Sequence, residues 1–121
     1  MNFRETPLAG ACILEAAPAR DERGSFARTF DLEEFRAHGL EPPVAQMSVS
    51  TNTRAGTLRG MHYQAPPHEE AKLVRCSRGA IYDVILDLRP GSTTYRHWFG
   101  LELTPRNATL LYVPKGLAHG F

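Results

Sequence analysis

From Pro42 onward this chain is written in short runs, alternating or apolar, each cut off by turn-forming residues at nearly regular intervals. Val44–Thr51 and Thr57–Gln64 are separated by Arg54-Ala55-Gly56, and Ala71–Ser77 and Ala80–Leu88 flank Arg78-Gly79. Tyr95–Leu103 follows Pro90-Gly91-Ser92, and Thr109–Val113 follows Pro105-Arg106-Asn107. Runs of this length suit strands, and their even spacing predicts an all-β sandwich or barrel. Arg78-Gly79 predicts a tight hairpin between its two neighbours. Before Pro42, Leu8–Glu15 reads as an edge strand. Phe26–Phe30, with an aromatic at each end, reads as a short strand after the polar turn that begins at Ala19. One helix is expected: Asp31 is a good N-cap, Glu34 follows three residues later as in a capping box, and Gly39 can stop it.

The 121 residues suffice for one domain with one core. Lys and Arg total 14 against 13 for Asp and Glu, a net charge of +1, so no bulk attraction to nucleic acid or a membrane surface is expected. No apolar stretch approaches bilayer length, and the first residues lack the apolar core of a signal peptide. Cys12 and Cys76, far apart and outside any CxxC pair, suit thiols in a reducing cytoplasm better than a disulfide or zinc site. The sequence stops at Leu117-Ala118-His119-Gly120-Phe121, where a further strand is starting. A strand without partners leaves a sheet edge open, so either the native chain continues or another chain supplies the missing strands; the expectation is the first, a barrel lacking its C-terminal strands.

The most informative spacing is Gly56-x5-His62 followed by Pro114-x-Gly116-x2-His119. Side chains alternate across a strand, so both imidazoles can line one cavity of a small barrel. The pair of spacings resembles the two signature motifs of the cupin superfamily, which implies a jelly-roll barrel. Metal-binding cupins carry a second His two residues after the first, where this chain has Gln64. Glu69 or Glu70 would have to complete an Fe(II) triad, and Pro66-Pro67 displaces them. The reading is therefore no metal.

A narrower resemblance covers nearly the whole chain from Asp21. Asp21-x-Arg23-Gly24-x-Phe26, Gln46-x-Ser48-x-Ser50 and Leu58-Arg59-Gly60-Met61-His62-Tyr63-Gln64-x-Pro66-Pro67 follow in order. Lys72-Leu73-Val74-Arg75, Asp83-Val84-x-x-Asp87-Leu88-Arg89 and Pro114-x-Gly116-x-Ala118-His119-Gly120-Phe121 come after them. Together they resemble the dTDP-4-dehydrorhamnose 3,5-epimerase family. The resemblance implies an isomerase of a nucleotide-linked 4-keto-6-deoxy hexose, acting in deoxysugar biosynthesis as a homodimer without metal or organic cofactor. His62 is then the base that takes the proton next to the C4 ketone, as an imidazole titrating near neutrality can. Lys72 is the cation for the enolate oxygen. Asp83, on a strand expected to face inward, would orient Lys72 or His62.

The same resemblance assigns Arg23 and Arg59 to the diphosphate, one of them reaching across a subunit boundary, which suits the planar guanidinium. It places Phe26 near the nucleotide base and His119 on the sugar or phosphate. Gln46, Ser48 and Arg28 belong to the nucleotide side. Arg28 stands where the family has Glu and Ser48 where it has Asn, departures that bear on which nucleotide is accepted. The family's general acid, a Tyr, lies on a strand beyond position 121, so no catalytic acid is named. A binder of nucleotide sugars without catalysis is the alternative, and a metal-dependent cupin a more distant one. Tyr63 and Trp98 are expected to pack, Asp87 and Arg89 to be structural, and His38, His68 and His97 to lie at the surface.

Overall fold

The computed structural model describes residues 1–42 and 45–121. In chain order the elements are β1 (Asn2–Glu5), β2 (Cys12–Glu15), β3 (Ala19–Asp21), β4 (Gly24–Phe26), α1 (Leu32–Ala37), β5 (Lys72–Arg75), β6 (Ile81–Asp87), β7 (Trp98–Leu103), β8 (Thr109–Val113) and β9 (Leu117–Gly120). One sheet runs β1-β2-β8-β5 and a second β7-β6-β9, with β3-β4 as a separate hairpin. Every pairing is antiparallel.

The first sheet is covered on both faces, which is why β2 and β8 are apolar without a break. Ile13, Leu111 and Val74 stand opposite one another on one face. With Val113 they meet Ile85, Leu103 and Leu117 of the second sheet in the main core. The other face carries Leu14, Leu110 and Tyr112, packed with Phe35 of α1. Phe35 is fully buried, its ring 4.9 Å from Phe30, 5.9 Å from Phe3 and 6.1 Å from Tyr112. Helix, sheet and sheet therefore form three layers, and burying such rings contributes about 1.5–3 kcal/mol each.

The helix starts as expected: Asp31, at φ −145° and ψ 119°, accepts from the backbone N–H groups of Glu33 and Glu34. The reciprocal half of the capping box does not form, because Glu34 instead takes the Met1 ammonium at 2.8 Å. Gly39, at φ +67°, ends the helix.

Several expected strands differ. Leu8–Glu15 is not an edge: only Cys12–Glu15 is extended, between β1 and β8, and β1 is the outer strand. Phe26–Phe30 is not a strand; β4 ends at Phe26 and pairs back on β3 within the segment read as a turn. Arg78-Gly79 does not close a hairpin, since β5 pairs with β8 while β6 pairs with β7 and β9, so the link crosses between sheets. Val44 lies outside the described residues, and 45–51 carries no strand. Thr57–Gln64 keeps one bridge, at His62. Tyr63 and Trp98 do not pack inward, being 44% and 64% exposed.

Candidate functional site

The inner face of the second sheet holds the site. Along β6, Asp83, Ile85 and Asp87 alternate with outward residues and are all fully buried. Ile85 stands opposite His119 of β9. On the far side of β9, His62 is the partner of His119: the His62 amide donates to the His119 carbonyl at 2.7 Å, and the His119 amide to that of His62 at 2.9 Å. Residues paired in this way project to the same face with Cα atoms about 5.5 Å apart. The two imidazoles named from the sequence are therefore neighbours on one wall.

A bulge brings a third residue to that wall. Arg59 and Phe121 also exchange backbone hydrogen bonds, at 2.7 and 2.9 Å. Gly60 and Met61 thus oppose the single residue Gly120, one extra residue that re-aims the strand. Arg59 and His62, three apart, would face opposite ways in a regular strand; the extra residue returns both to the face of His119 and Phe121. Close approach makes this possible only with glycine. A Cβ on Gly60, at φ +110°, would sit 2.7 Å from the Gly120 Cα and 2.8 Å from the His119 oxygen.

Asp83 does not orient Lys72 or His62, as the sequence suggested. Its Oδ1 bonds Nε2 of His119, and its Oδ2 has no partner among the described residues. The alternation of β6 puts Asp83 under β9, where His119 is the side chain within reach. Lys72 comes from the opposite sheet. It stands opposite Val113, on the face that meets the second sheet, half-buried with Nζ 3.4 Å from Glu70 Oε1. Glu69 contributes to the field that raises the Lys115 pKa, after the larger effect of Glu41. Neither acid considered for a metal triad is paired with His62 here. Among the described residues no three His, Cys, Asp or Glu side chains are placed to hold a metal ion.

No contact among the described residues draws the other named residues onto this wall. The Arg59 guanidinium donates to Asn52 Oδ1 at 2.6 Å and to the Thr51 carbonyl at 3.3 Å. Gln46 and Ser48 lie exposed in the segment without regular structure that leads to it. Arg23 and Phe26 sit on the β3-β4 hairpin, every residue of which is exposed, Phe26 by 78%. Asp21 holds Arg23 through its guanidinium at 2.6 Å, which lowers the Asp21 pKa. Arg28 is turned to the helix cap Asp31 at 2.8 Å. Asn52 and Glu70 are the contacts sequence reasoning did not assign; a polar residue seven before Arg59 and an acid two before Lys72 were the available signals. Tyr112, whose pKa burial raises, faces the helix layer and is remote from this wall.

Two facing antiparallel sheets, with paired imidazoles on one inner wall and a lysine on the other, define a cupin-type jelly-roll protein. The family model for dTDP-4-dehydrorhamnose 3,5-epimerase matches residues 5–121. A dTDP-4-dehydrorhamnose 3,5-epimerase of Methanothermobacter thermautotrophicus is 44% identical over 120 residues, covering 99% of this chain and 64% of the relative. That of Sinorhizobium fredii is 39% identical over 121 residues, covering 100% and 62%. The solved enzyme of Bacillus anthracis, with TDP and PPi bound, superposes with a TM-score of 0.93 at 40% identity, covering 99% of this chain and 69% of its own. This chain belongs to the dTDP-4-dehydrorhamnose 3,5-epimerase family. It spans somewhat under two thirds of the length of these two curated relatives.

Proposed function

We propose that residues 1–121 act as one domain in epimerising a nucleotide-linked 4-keto-6-deoxy hexose by proton abstraction next to the C4 ketone. The observation that carries this is the side-by-side placement of His62 and His119 on one wall, with Lys72 on the facing wall. His62, exposed and without a side-chain partner among the described residues, is the base. It takes the proton from C3 or C5, and the electron pair moves into the ketone to give an enolate. The Lys72 ammonium, turning from Glu70, stabilises the enolate oxygen where charge develops. Return of a proton to the other face of the carbon inverts it.

Arg59 and His119 hold the diphosphate and sugar, with Gln46, Ser48 and Arg28 on the nucleotide side. Arg23 and Phe26 serve a neighbouring copy: their hairpin is exposed along its whole length, which supports a homodimer. Free Cys12 and Cys76 accord with a cytoplasmic setting. The test is solvent deuterium incorporation into dTDP-4-keto-6-deoxyglucose. Label entering at C3 or C5 with the native chain and absent in His62→Ala is the expected result. Tight binding of the nucleotide sugar without any exchange would instead leave a binding protein.

A further inference from the structure

Asp83 and Asp87 lie on the same face of β6 and are equally buried, yet their surroundings differ. Asp87 accepts five hydrogen bonds, from the Arg89 amide and guanidinium, Ser92 and Thr94. Asp83 has one partner, Nε2 of His119, and its Oδ2 has none among the described residues. A half-satisfied buried carboxylate is a poor stabilising device. Nor do the strands need it as a link, because β6 and β9 are already in register at four backbone pairs. What it does control is the His119 ring. A carboxylate can only accept, so the hydrogen in this contact sits on Nε2 and the nitrogen left over is Nδ1.

We propose that Asp83 is a positioning residue that holds His119 in the Nε2–H tautomer, so that Nδ1 accepts a hydrogen bond from a sugar hydroxyl beside His62. This rests on the epimerase reading and deepens it: His119 recognises a donor on the sugar, not a phosphate oxygen. It also gives the two adjacent imidazoles different tasks. His119, anchored and 6% exposed, orients the ring, while the exposed His62 moves the proton.

Asp83→Asn tests this, because an asparagine amide can donate to Nε2 and drive the ring hydrogen to Nδ1. Nitrogen-15 NMR of His119, above the titration range of the ring, is expected to show hydrogen on Nε2 in the native chain and on Nδ1 in the variant. Affinity for dTDP-4-keto-6-deoxyglucose is expected to fall about 10-fold, the loss of a hydrogen bond of about 1.4 kcal/mol. The solvent-exchange rate is expected to fall roughly 100-fold, inside the ~10⁴ known for amidating a carboxylate that orients an imidazole. In a His119→Gln background the same change is expected to have no further effect on affinity.

Hydrogen on Nδ1 in the native chain overturns the proposal without any variant, so a misfolded Asp83→Asn does not shelter it. A tautomer unmoved by Asp83→Asn overturns it as well, and so does a flip that leaves affinity unchanged. If the native chain binds the sugar but exchanges nothing, the epimerase reading fails while the tautomer and affinity measurements still decide the role of Asp83.

Discussion

Replacing Asp87 by alanine should be the most damaging single polar change in the chain, and the structure lets its size be worked out. The carboxylate is fully buried. It accepts from the Arg89 guanidinium at 2.7 and 2.9 Å, from the Arg89 amide at 2.9 Å, and from Ser92 and Thr94 at 2.7 Å each. Removing one side of a buried ion pair costs about 3–5 kcal/mol. The two stranded hydroxyls alone account for about 2 kcal/mol of that, at about 1 each. Asp87→Asn keeps the volume and should lose about half as much. The Arg89 guanidinium, and then the hydroxyls and amide, hold the Asp87 carboxyl well below the usual carboxylate range against the opposing effect of burial. A depressed folded pKa means that this stabilisation is fully present above the unfolded value near ~3.9 and drains as pH falls through and below it. The stability gap between native chain and Asp87→Asn should thus be flat from pH 7 to 5 and narrower by about 1 kcal/mol at pH 3. Urea denaturation followed by circular dichroism is the assay, since the one tryptophan, Trp98, is largely exposed and a weak reporter. A loss for Asp87→Ala below about 1 kcal/mol at pH 7, or a gap for Asp87→Asn unchanged at pH 3, would refute the reasoning.

Lys72→Met should slow solvent exchange by about 10²–10³, the usual effect of removing a donor to a developing oxyanion, while dTDP still binds in calorimetry. Arg59→Lys keeps the charge but loses the planar fork, so the Kd for dTDP should rise about 10-fold in the same titration. Gly60→Ala forces a Cβ against Gly120 and His119 at positive φ. Thermal melting should report a loss of about 1–3 kcal/mol, with a parallel loss of exchange as His62 leaves its bridge.

What could be read ahead of the structure followed from local chemistry. Asp31 capped the helix because a short carboxylate before an amphipathic turn has free amides to accept from. β8 and β6 were legible as short runs bounded by turn residues on either side. Partners were harder. Arg78-Gly79 marks a place where the chain turns, and a turn residue says nothing about whether the next strand returns to the same sheet or crosses to the facing one. Met47, Val49 and Leu58 carry a strand-like pattern at 90%, 87% and 84% exposure, because a strand exists only where another offers it a ladder.

The sequence named candidate residues without their geometry, and the Arg59–His62 segment shows why. Period-two reasoning puts His62 and His119 on one wall, as found, but it puts Arg59 on the opposite side. The bulge reverses that, and its trace in the sequence is a glycine inside a strand pattern. Gly60 belongs to the Leu58–Gln64 motif, and its lack of a Cβ is what allows the backbone at Gly120 to come so close. The same limit applies to Asp83. Asp83 was expected on an inward-facing strand and is buried, but which side chain it meets depends on β9 lying next to β6. That neighbour put His119 within its reach and left Lys72 to Glu70. Motif matching thus names candidate groups; strand order and one extra residue decide which of them stand as pairs.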